Sequence, residues 1–377
     1  MIPSTATPLW RTEAAGAVAD LGVLVPIAVS LVVLNGLSPT SVLLPAGLLY
    51  LLVARLYRLP IAVQPLKAFG AIAIAAGAGP SVIAAGALLM GGVFVVLGAT
   101  GLIDAAARFV PESVIRGVQL TVAVLLLKVA YGLVTNPPKS FTAQPPAPAL
   151  TAVALLAALW FLRGRVALLI VAAGMAFAIR QGLDTGAAFG VGPSAFQLPT
   201  FTVADFATAA TLLVIPQLPL TFANSCLAPV DAARTYFGSA AARVTAGRLA
   251  MSLGVANLFA GGIAGMPVCH GAGGLSAHYA FGARTWRAPA IMGGALVVVA
   301  LAFGDTVAGL LPMFPIAIRA ALLGVAAITH VQLLRDVRGT MNWVVVLVVA
   351  GLGVFANLAY GVLAGILLAK MRRSATR

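Results

Sequence analysis

The chain is 377 residues long, 61% hydrophobic and only 8% charged, with a mean hydropathy of +1.07. A soluble domain carries about 25% charged residues, so this composition excludes a water-covered globule and predicts a polytopic membrane protein. The net charge of +14 does not point to nucleic acid, because no Lys/Arg run is longer than two and aromatic residues make up 7%; basic residues flanking spans on one side of a bilayer account for it.

A bilayer crossing needs about 20 apolar residues. The first candidate, 13–35, carries Glu13 and Asp20 and has no clear small-residue cleavage site, so it reads as a retained span rather than a signal peptide. Spans follow at 40–57, 81–102 and 114–134. The Pro-rich, polar "TNPPKSFTAQPPAPA" (135–149) reads as an extended external linker. Further spans are expected at 148–163, 165–182, 205–228, 247–264, 287–304, 314–333, 342–356 and 358–370, with no soluble domain after residue 370. Two short pieces, 66–78 and 271–281, cannot cross alone; each follows a Pro-bearing extended segment, the mark of a half-helix. Cys226 and Cys269 lie in apolar surroundings and form no disulfide framework.

Basic residues test this topology. With the N-terminus in the cytoplasm and every piece reversing direction, eighteen of the 23 Lys and Arg fall inside. Lys139, Arg180 and Arg319 fall outside, and Lys67 and Lys128 stay within spans. That bias supports fourteen segments with both termini cytoplasmic. Arg116 and Arg319 are expected to cap or anchor span ends, and His278 to sit at the cytoplasmic interface.

The segments also repeat. "LPIAVQPLKAFGAIA" (59–73) is echoed about 205 residues later by "GMPVCHGAGGLSAHY", and "VPESVIRGVQL" (110–120) by "FPIAIRAALLG" (314–324) at nearly the same offset. The expected fold is therefore an all-α polytopic membrane protein of two seven-segment repeats, 1–184 and 185–377. An odd number of segments per repeat gives them opposite orientation, and inverted repeats with broken helices mark secondary transporters.

Inside a bilayer, backbone polar groups must be paired, so Pro and Gly clusters at depth belong beside protein or a water-filled cavity. The first half-helix would begin after Gln64-Pro65, with Lys67 in its first turn. The second would begin at Gly271, after Pro267-Val268-Cys269-His270. A helix N-terminus leaves amides unpaired and carries about +0.5 charge. Two of them, with Lys67, suit a dianion such as a tetrahedral oxyanion. Gly271, Ala272, Gly273 and Gly274 would form the second wall, where glycines permit close approach. Gln217 and Asn224 in "IPQLPLTFANS" (215–225) are further candidates for substrate contact. Asp20 or His270 is the candidate proton carrier. Adjacent Cys269 and His270 cannot pair as nucleophile and base, and Cys269, His270 and His278 lack the spacing of a metal site. No catalysis, metal or cofactor is expected.

"PIAVQPLKAFGAIAIA" and "NLFAGGIAGMPVCHGAGGLSAHYAFGAR" resemble the two signature motifs of the molybdate transporter family, which is related to the sulfate permeases; "ADLGVLVPI" (19–27) and "IPQLPLTFANS" resemble further family segments. The resemblance implies the fold of the sulfate and uracil permeases, with core and gate domains and substrate between the third and tenth segments. It also implies an elevator-like movement, frequent homodimers, and oxyanion contact around Gln64, Lys67, Gln217 and His270–Gly274. Uracil permeases use acidic residues in their eighth and tenth segments; Gln217 and His270 stand in comparable places here, which favours an anion over a nucleobase. The expected function is proton-coupled import of molybdate across a bacterial inner membrane, the bacterial source being suggested by the Ala/Gly/Arg-rich composition. The alternatives are sulfate or tungstate as substrate, an uncoupled anion channel, and a membrane-bound scaffold or sensor.

Overall fold

The computed structural model describes residues 9–103, 105, 111–136, 148–162, 164–185, 189–196 and 198–375. Most of the linker expected at 135–149, with Lys139, lies outside them. Helix α1 (Leu9–Ala17) passes through a tight turn at Val18–Asp20 into α2 (Leu21–Asn35), which ends at Gly36 with φ 74°. Helices α3 (Pro39–Tyr57) and α5 (Pro80–Thr100) both open on Pro, which suits a first helical position because its missing N–H would have no partner there. Between them lie strand β1 (Gln64–Pro65) and the short helix α4 (Lys67–Ala76). Helices α6 (Glu112–Thr135), α7 (Pro148–Leu162) and α8 (Gly164–Asp184) complete the first half.

The second half opens on a helical run over Val203–Arg243, made of α9 (Val203–Ala209), α10 (Ile215–Leu220) and α11 (Ala228–Phe237) joined by wide π turns. Those turns, Ala210–Val214 and Thr221–Leu227, flank Pro216 and Pro219, whose missing N–H groups interrupt the α-helical ladder. The run is not one straight rod: besides the π turns, Gly238 at φ 55° breaks it before the short turn Gly238–Arg243. Then come α12 (Ala246–Gly262), strand β2 (Val268–Cys269), the short α13 (Ala272–Ala280) and α14 (Arg287–Ala302). Helices α15 (Gly304–Leu310), α16 (Ile316–Gln332), α17 (Thr340–Leu352) and α18 (Leu358–Ala375) end the chain.

Helices α17 and α18 are joined through a π turn at Gly353–Asn357 yet fold back on each other. A Cβ on Gly361 would sit 2.6 Å from the Val349 carbonyl oxygen. In a straight helix those residues would be about 18 Å apart. The two spans expected at 342–356 and 358–370 are thus present as a hairpin.

The tightest packing joins α5 to α12 and α3 to α14, and α6 packs on α16. A Cβ on Gly91 would sit 2.6 Å from the Leu258 amide nitrogen, and one on Gly254 would sit 2.7 Å from that of Val95. In the other pair, Cβ atoms on Gly47 and Gly293 would lie 3.1 Å and 2.8 Å from each other's carbonyl oxygens. Backbones this close are how helices associate in lipid, where no hydrophobic force drives them together. Gly47 and Gly254, like Gly91 and Gly293, are related by nearly the offset of the sequence repeats, so the two interfaces are one solution used twice.

Contacts between segment ends agree with the basic-residue count. Tyr57 donates to the Arg248 carbonyl at 2.8 Å, and Arg116 pairs with Asp336 and, at 3.1 Å, with Glu112. Glu13 accepts from the amides of Arg284 and Thr285 at 3.0 Å and of Ala288 at 3.2 Å, placing a carboxylate at the start of α14. Of these groups Arg116, Arg248 and Arg284 are among the basic residues that the count places on one side. On the other side, Thr40 donates to Ala300 O at 2.7 Å and accepts from Ser194 N at 2.8 Å. Arg319, expected outside, donates to the Leu311 carbonyl beside the start of its helix, as an anchoring residue should.

Candidate functional site

The two Pro-bearing segments meet as an antiparallel ribbon, with Gln64 opposite Cys269 and Pro65 opposite Val268. Leu66 N donates to Pro267 O at 3.1 Å. Alternate residues of such a ladder point their backbone groups outward. Pro65 and Val268 are the outward pair, so the missing N–H of Pro65 breaks no ladder bond. On the outer edge of β2, Asn257 stands in for a third strand. Its Oδ1 accepts from Val268 N at 2.8 Å and its Nδ2 donates to Val268 O at 2.8 Å. The outward Pro65 carbonyl faces Cys269 Sγ at 3.7 Å. Cys269 is buried and closes this edge of the ribbon.

Helices α4 and α13 leave the ribbon in opposite directions, both with their N-termini turned toward it. The first intrahelical bond of α4 is Gly70 N to Leu66 O at 2.8 Å, and that of α13 is Leu275 N to Gly271 O at 3.0 Å. The amides of Lys67 and Ala68, and of Ala272, Gly273 and Gly274, therefore precede the helical ladders. Phe69 N, the next amide of α4, donates to Gln217 Oε1 at 2.9 Å, and Gln217 Nε2 donates to Thr221 Oγ1 at 2.9 Å. The sequence expectation put Gln217 on the anion; the structure puts it on the first turn of α4, carried there by the Pro-broken α10. Lys67 is half-buried at the first position of α4.

The α13 side has a tight wall and an open one. A Cβ on Gly274 would lie 2.5 Å from Asp20 Oδ1 and 2.6 Å from Gln64 Nε2, and one on Gly271 would overlap Gln64 Oε1. Gln64 approaches both glycines, and at Gly274 Asp20 Oδ1 and the Ala62 methyl come equally close. Gly273 is exposed, and a Cβ there would meet nothing within 4 Å. Gln64 Oε1 is buried with no hydrogen-bond partner and lies against the capping residue of α13.

Asp20 is the centre of a buried cluster. Its Oδ1 accepts from Gln64 Nε2 at 2.6 Å and its Oδ2 from the Tyr50 hydroxyl at 2.6 Å. His278 Nε2 lies 2.9 Å from Oδ2, within ion-pair reach though off the line of a hydrogen bond. Its ring stacks on Tyr50 with centroids 6.3 Å apart. This corrects the expectation for His278: it is fully buried on the carboxylate rather than interfacial. His270 is also fully buried. Its Nε2 lies 2.8 Å from Ser252 Oγ and its Nδ1 3.3 Å from the Ala62 carbonyl, so both nitrogens are committed to protein. Ser252 in turn bonds the Tyr57 hydroxyl at 2.8 Å. Tyr50 and Tyr57, two turns apart on one face of α3, thus each serve one of the two histidines. The i, i+7 tyrosines, Asn257 and Ser252 were missed in the sequence; the available signal was polar residues recurring on helix faces that are otherwise apolar.

Asn224 is half-buried and lines a different space, a cleft of about 450 Å³ bounded by Glu112, Arg116, Gln119, Phe222 and Leu333. Among the described residues no group of three or more His, Cys, Asp or Glu side chains is placed to hold a metal ion.

The sequence profile described as "Molybdate transporter of MFS superfamily" matches residues 12–126 and 209–329, which hold the ribbon, both half-helices and Gln217. The chain belongs to the molybdate transporter family. It is a multi-pass membrane transporter and not an enzyme. It is 28% identical to molybdate transporter 2 of Arabidopsis thaliana over 93% of this chain and 85% of the relative. Its identity to molybdate transporter 1 of Chlamydomonas reinhardtii is also 28%, over 91% and 87%. Among solved structures it is similar to the transmembrane domain of a cyanobacterial bicarbonate transporter, BicA (TM-score 0.63, 18% identity, 97% of this chain and 98% of that one). It is likewise similar to murine Slc26a9, an anion transporter, in an inward-facing state (TM-score 0.69, 15% identity, 100% and 69%). The fold of this family member is accordingly that of the sulfate-permease group.

Proposed function

We infer that this transporter carries molybdate and couples its uptake to protons. The observation that carries the reading is the ribbon. It sets two half-helix N-termini toward one place, with five first-turn amides outside the ladders and Lys67 beside them. Two helix dipoles supply about +1 charge and Lys67 another, which suits a tetrahedral dianion. The relatives named as molybdate transporters support that choice among oxyanions. In this reading the Lys67, Ala68, Ala272, Gly273 and Gly274 amides donate to the anion, and Gln64, whose Nε2 is on Asp20 and whose Oε1 can only accept, shapes the wall without bonding the dianion. Gln217 and the Pro65–Cys269 ribbon hold α4 and α13 in place. The Asn224 cleft, with Arg116 at its edge, is the route toward the cytoplasm.

Moving a dianion against an inside-negative potential costs about 2.3 kcal/mol per charge per 100 mV, and proton entry offsets that. Between the two candidate carriers the geometry favours Asp20. His270 has both nitrogens engaged, whereas Asp20 bonds Gln64, which touches both Gly271 and Gly274 of the anion wall. The ionisable groups around Asp20 are His278 from α13, Tyr50 from α3 and Cys269 from β2; Glu13, on its own helix, is engaged at α14. The repeat boundary at 184/185, cytoplasmic termini, a homodimer and a bacterial inner membrane belong to the same proposal.

The test is uptake of labelled molybdate into proteoliposomes under a proton gradient, with sulfate and tungstate as competitors. Saturable uptake that excess sulfate barely inhibits, and that Lys67→Ala weakens, supports substrate and pocket. Preferred sulfate uptake moves the function to a general sulfate permease. Currents that reverse at the anion's equilibrium potential identify an uncoupled channel. Asp20→Asn should transport without a pH dependence; an unchanged pH profile would remove Asp20 as the carrier.

A further inference from the structure

The C-terminal end of α3 and the N-terminal end of α12 enclose a cavity of about 620 Å³ that the transport reading does not use. Its wall is apolar, made by Leu52, Leu56, Met251 and Val255, and Leu52, Leu56 and Val255 are exposed. Arg55, Arg243 and Arg248 form its rim. On the far side of α3 a second cavity, about 500 Å³, shares Arg55 and adds Arg58 and the exposed Trp286. Among the described residues no carboxylate pairs with any of these four arginines. All four are exposed, and all four lie on the face that the basic-residue count assigns to the cytoplasm. Arg58 also ends α3 at φ 56°, a left-handed conformation that glycine would adopt with less strain.

Guanidiniums with no carboxylate partner, Arg248 donating only a long 3.4 Å bond to the Arg243 carbonyl, above an exposed apolar groove match one chemistry. A phosphodiester takes forked hydrogen bonds from Arg, and an acyl chain covers Leu52, Leu56 and Val255. Trp286 is exposed beside the second cavity, and aromatic residues of this kind anchor membrane proteins at the headgroups. A soluble anion would leave the apolar wall uncovered, and a neutral lipid would leave the arginines unpaired. We propose that this cavity binds an anionic phospholipid, its phosphate held by Arg55, Arg243 and Arg248. The site also reaches the transport machinery. Tyr57 and Ser252 line the cavity, and Ser252 bonds His270 Nε2 at 2.8 Å, two residues before α13 begins. A seated lipid therefore braces the segment that enters the second half-helix.

Lipid retention needs no substrate, so this test is separate from that of molybdate transport. Purified protein would be exchanged into nanodiscs of phosphatidylcholine with or without phosphatidylglycerol. Co-purifying lipid would be measured by native mass spectrometry, with titration of short-chain phosphatidylglycerol and of inorganic phosphate. Wild type should retain phosphatidylglycerol selectively, and Arg55→Gln/Arg248→Gln should weaken it about thirty-fold, the product of two basic contacts. Arg180→Gln, on the opposite side, should leave retention unchanged. Should the double variant fail to fold, Val255→Trp fills the groove with every charge kept and should also expel the lipid. Equal retention in wild type and either cavity variant overturns the proposal. Inorganic phosphate displacing the lipid at similar concentration also overturns it, reducing the site to a free-anion site.

Discussion

Asn257→Leu tests whether the edge of β2 is held as described. Leu has the branched outline of Asn but bulkier methyl ends, so the change removes the polar atoms, leaves no void and adds some crowding. Asn257 makes three bonds, to Val268 N and O at 2.8 Å each and to Leu253 O at 2.9 Å. Hydrogen bonds between membrane helices average about 0.6 kcal/mol, so counting bonds alone gives about 2 kcal/mol. Val268 is 0% exposed and its outward backbone groups face no other strand, so no water replaces the amide. A buried backbone group left unpaired costs about 1–3 kcal/mol, and two of them raise the upper bound to about 6. The unpaired groups decide the outcome, and the expected loss is roughly 2–6 kcal/mol. Thermal unfolding in detergent should show a clear drop for Asn257→Leu and a smaller one for Asn257→Ala, whose vacancy can admit a water. Molybdate uptake should fall in both, since Val268 carries Cys269, His270 and Gly271 with it. A melting temperature and an apparent affinity equal to wild type would refute the reasoning, because β2 would then be held by something other than Asn257.

Other substitutions separate packing from function. Gly274→Ala pushes a methyl into Asp20 Oδ1 and Gln64 Nε2 and should abolish uptake, whereas Gly273→Ala meets open space and should leave the melting temperature unchanged. Gly91→Ala forces backbone apart at the α5–α12 contact and should destabilise the protein by about 1–3 kcal/mol; Gly92→Ala, with nothing within 4 Å, should be tolerated, and equal melting temperatures would contradict the packing described. Glu13→Gln removes a charge from the start of α14 and should lower stability by about 0.5–2 kcal/mol, measurable by thermal unfolding at fixed pH. Gln217→Leu leaves Phe69 N without its acceptor, so uptake should fall even where molybdate binding is kept at high concentration.

Much of this protein is legible without coordinates. Charge this sparse forces most of the surface into lipid, and a bilayer fixes how long a crossing helix must be, so most spans could be placed by counting apolar residues. The same physics exposed the exceptions: Pro and Gly at depth are tolerable only beside partners, which located both half-helices and the residues flanking them. Basic residues suggested an order of turns, and Arg116, placed on one side by that count, does pair with Asp336 next to Arg335 of the same set. Tertiary structure decided which side chain serves which purpose. His270 and His278 are alike in sequence, each a lone histidine beside a half-helix. Folding puts one on Ser252 and Ala62 and the other on Asp20, because α3 passes both with Tyr57 and Tyr50. Gln217 was recognisable as functional, but its partner, the amide of Phe69, lies 148 residues away in the chain. Such pairings depend on how two distant repeats close on each other, and local sequence carries no record of that distance.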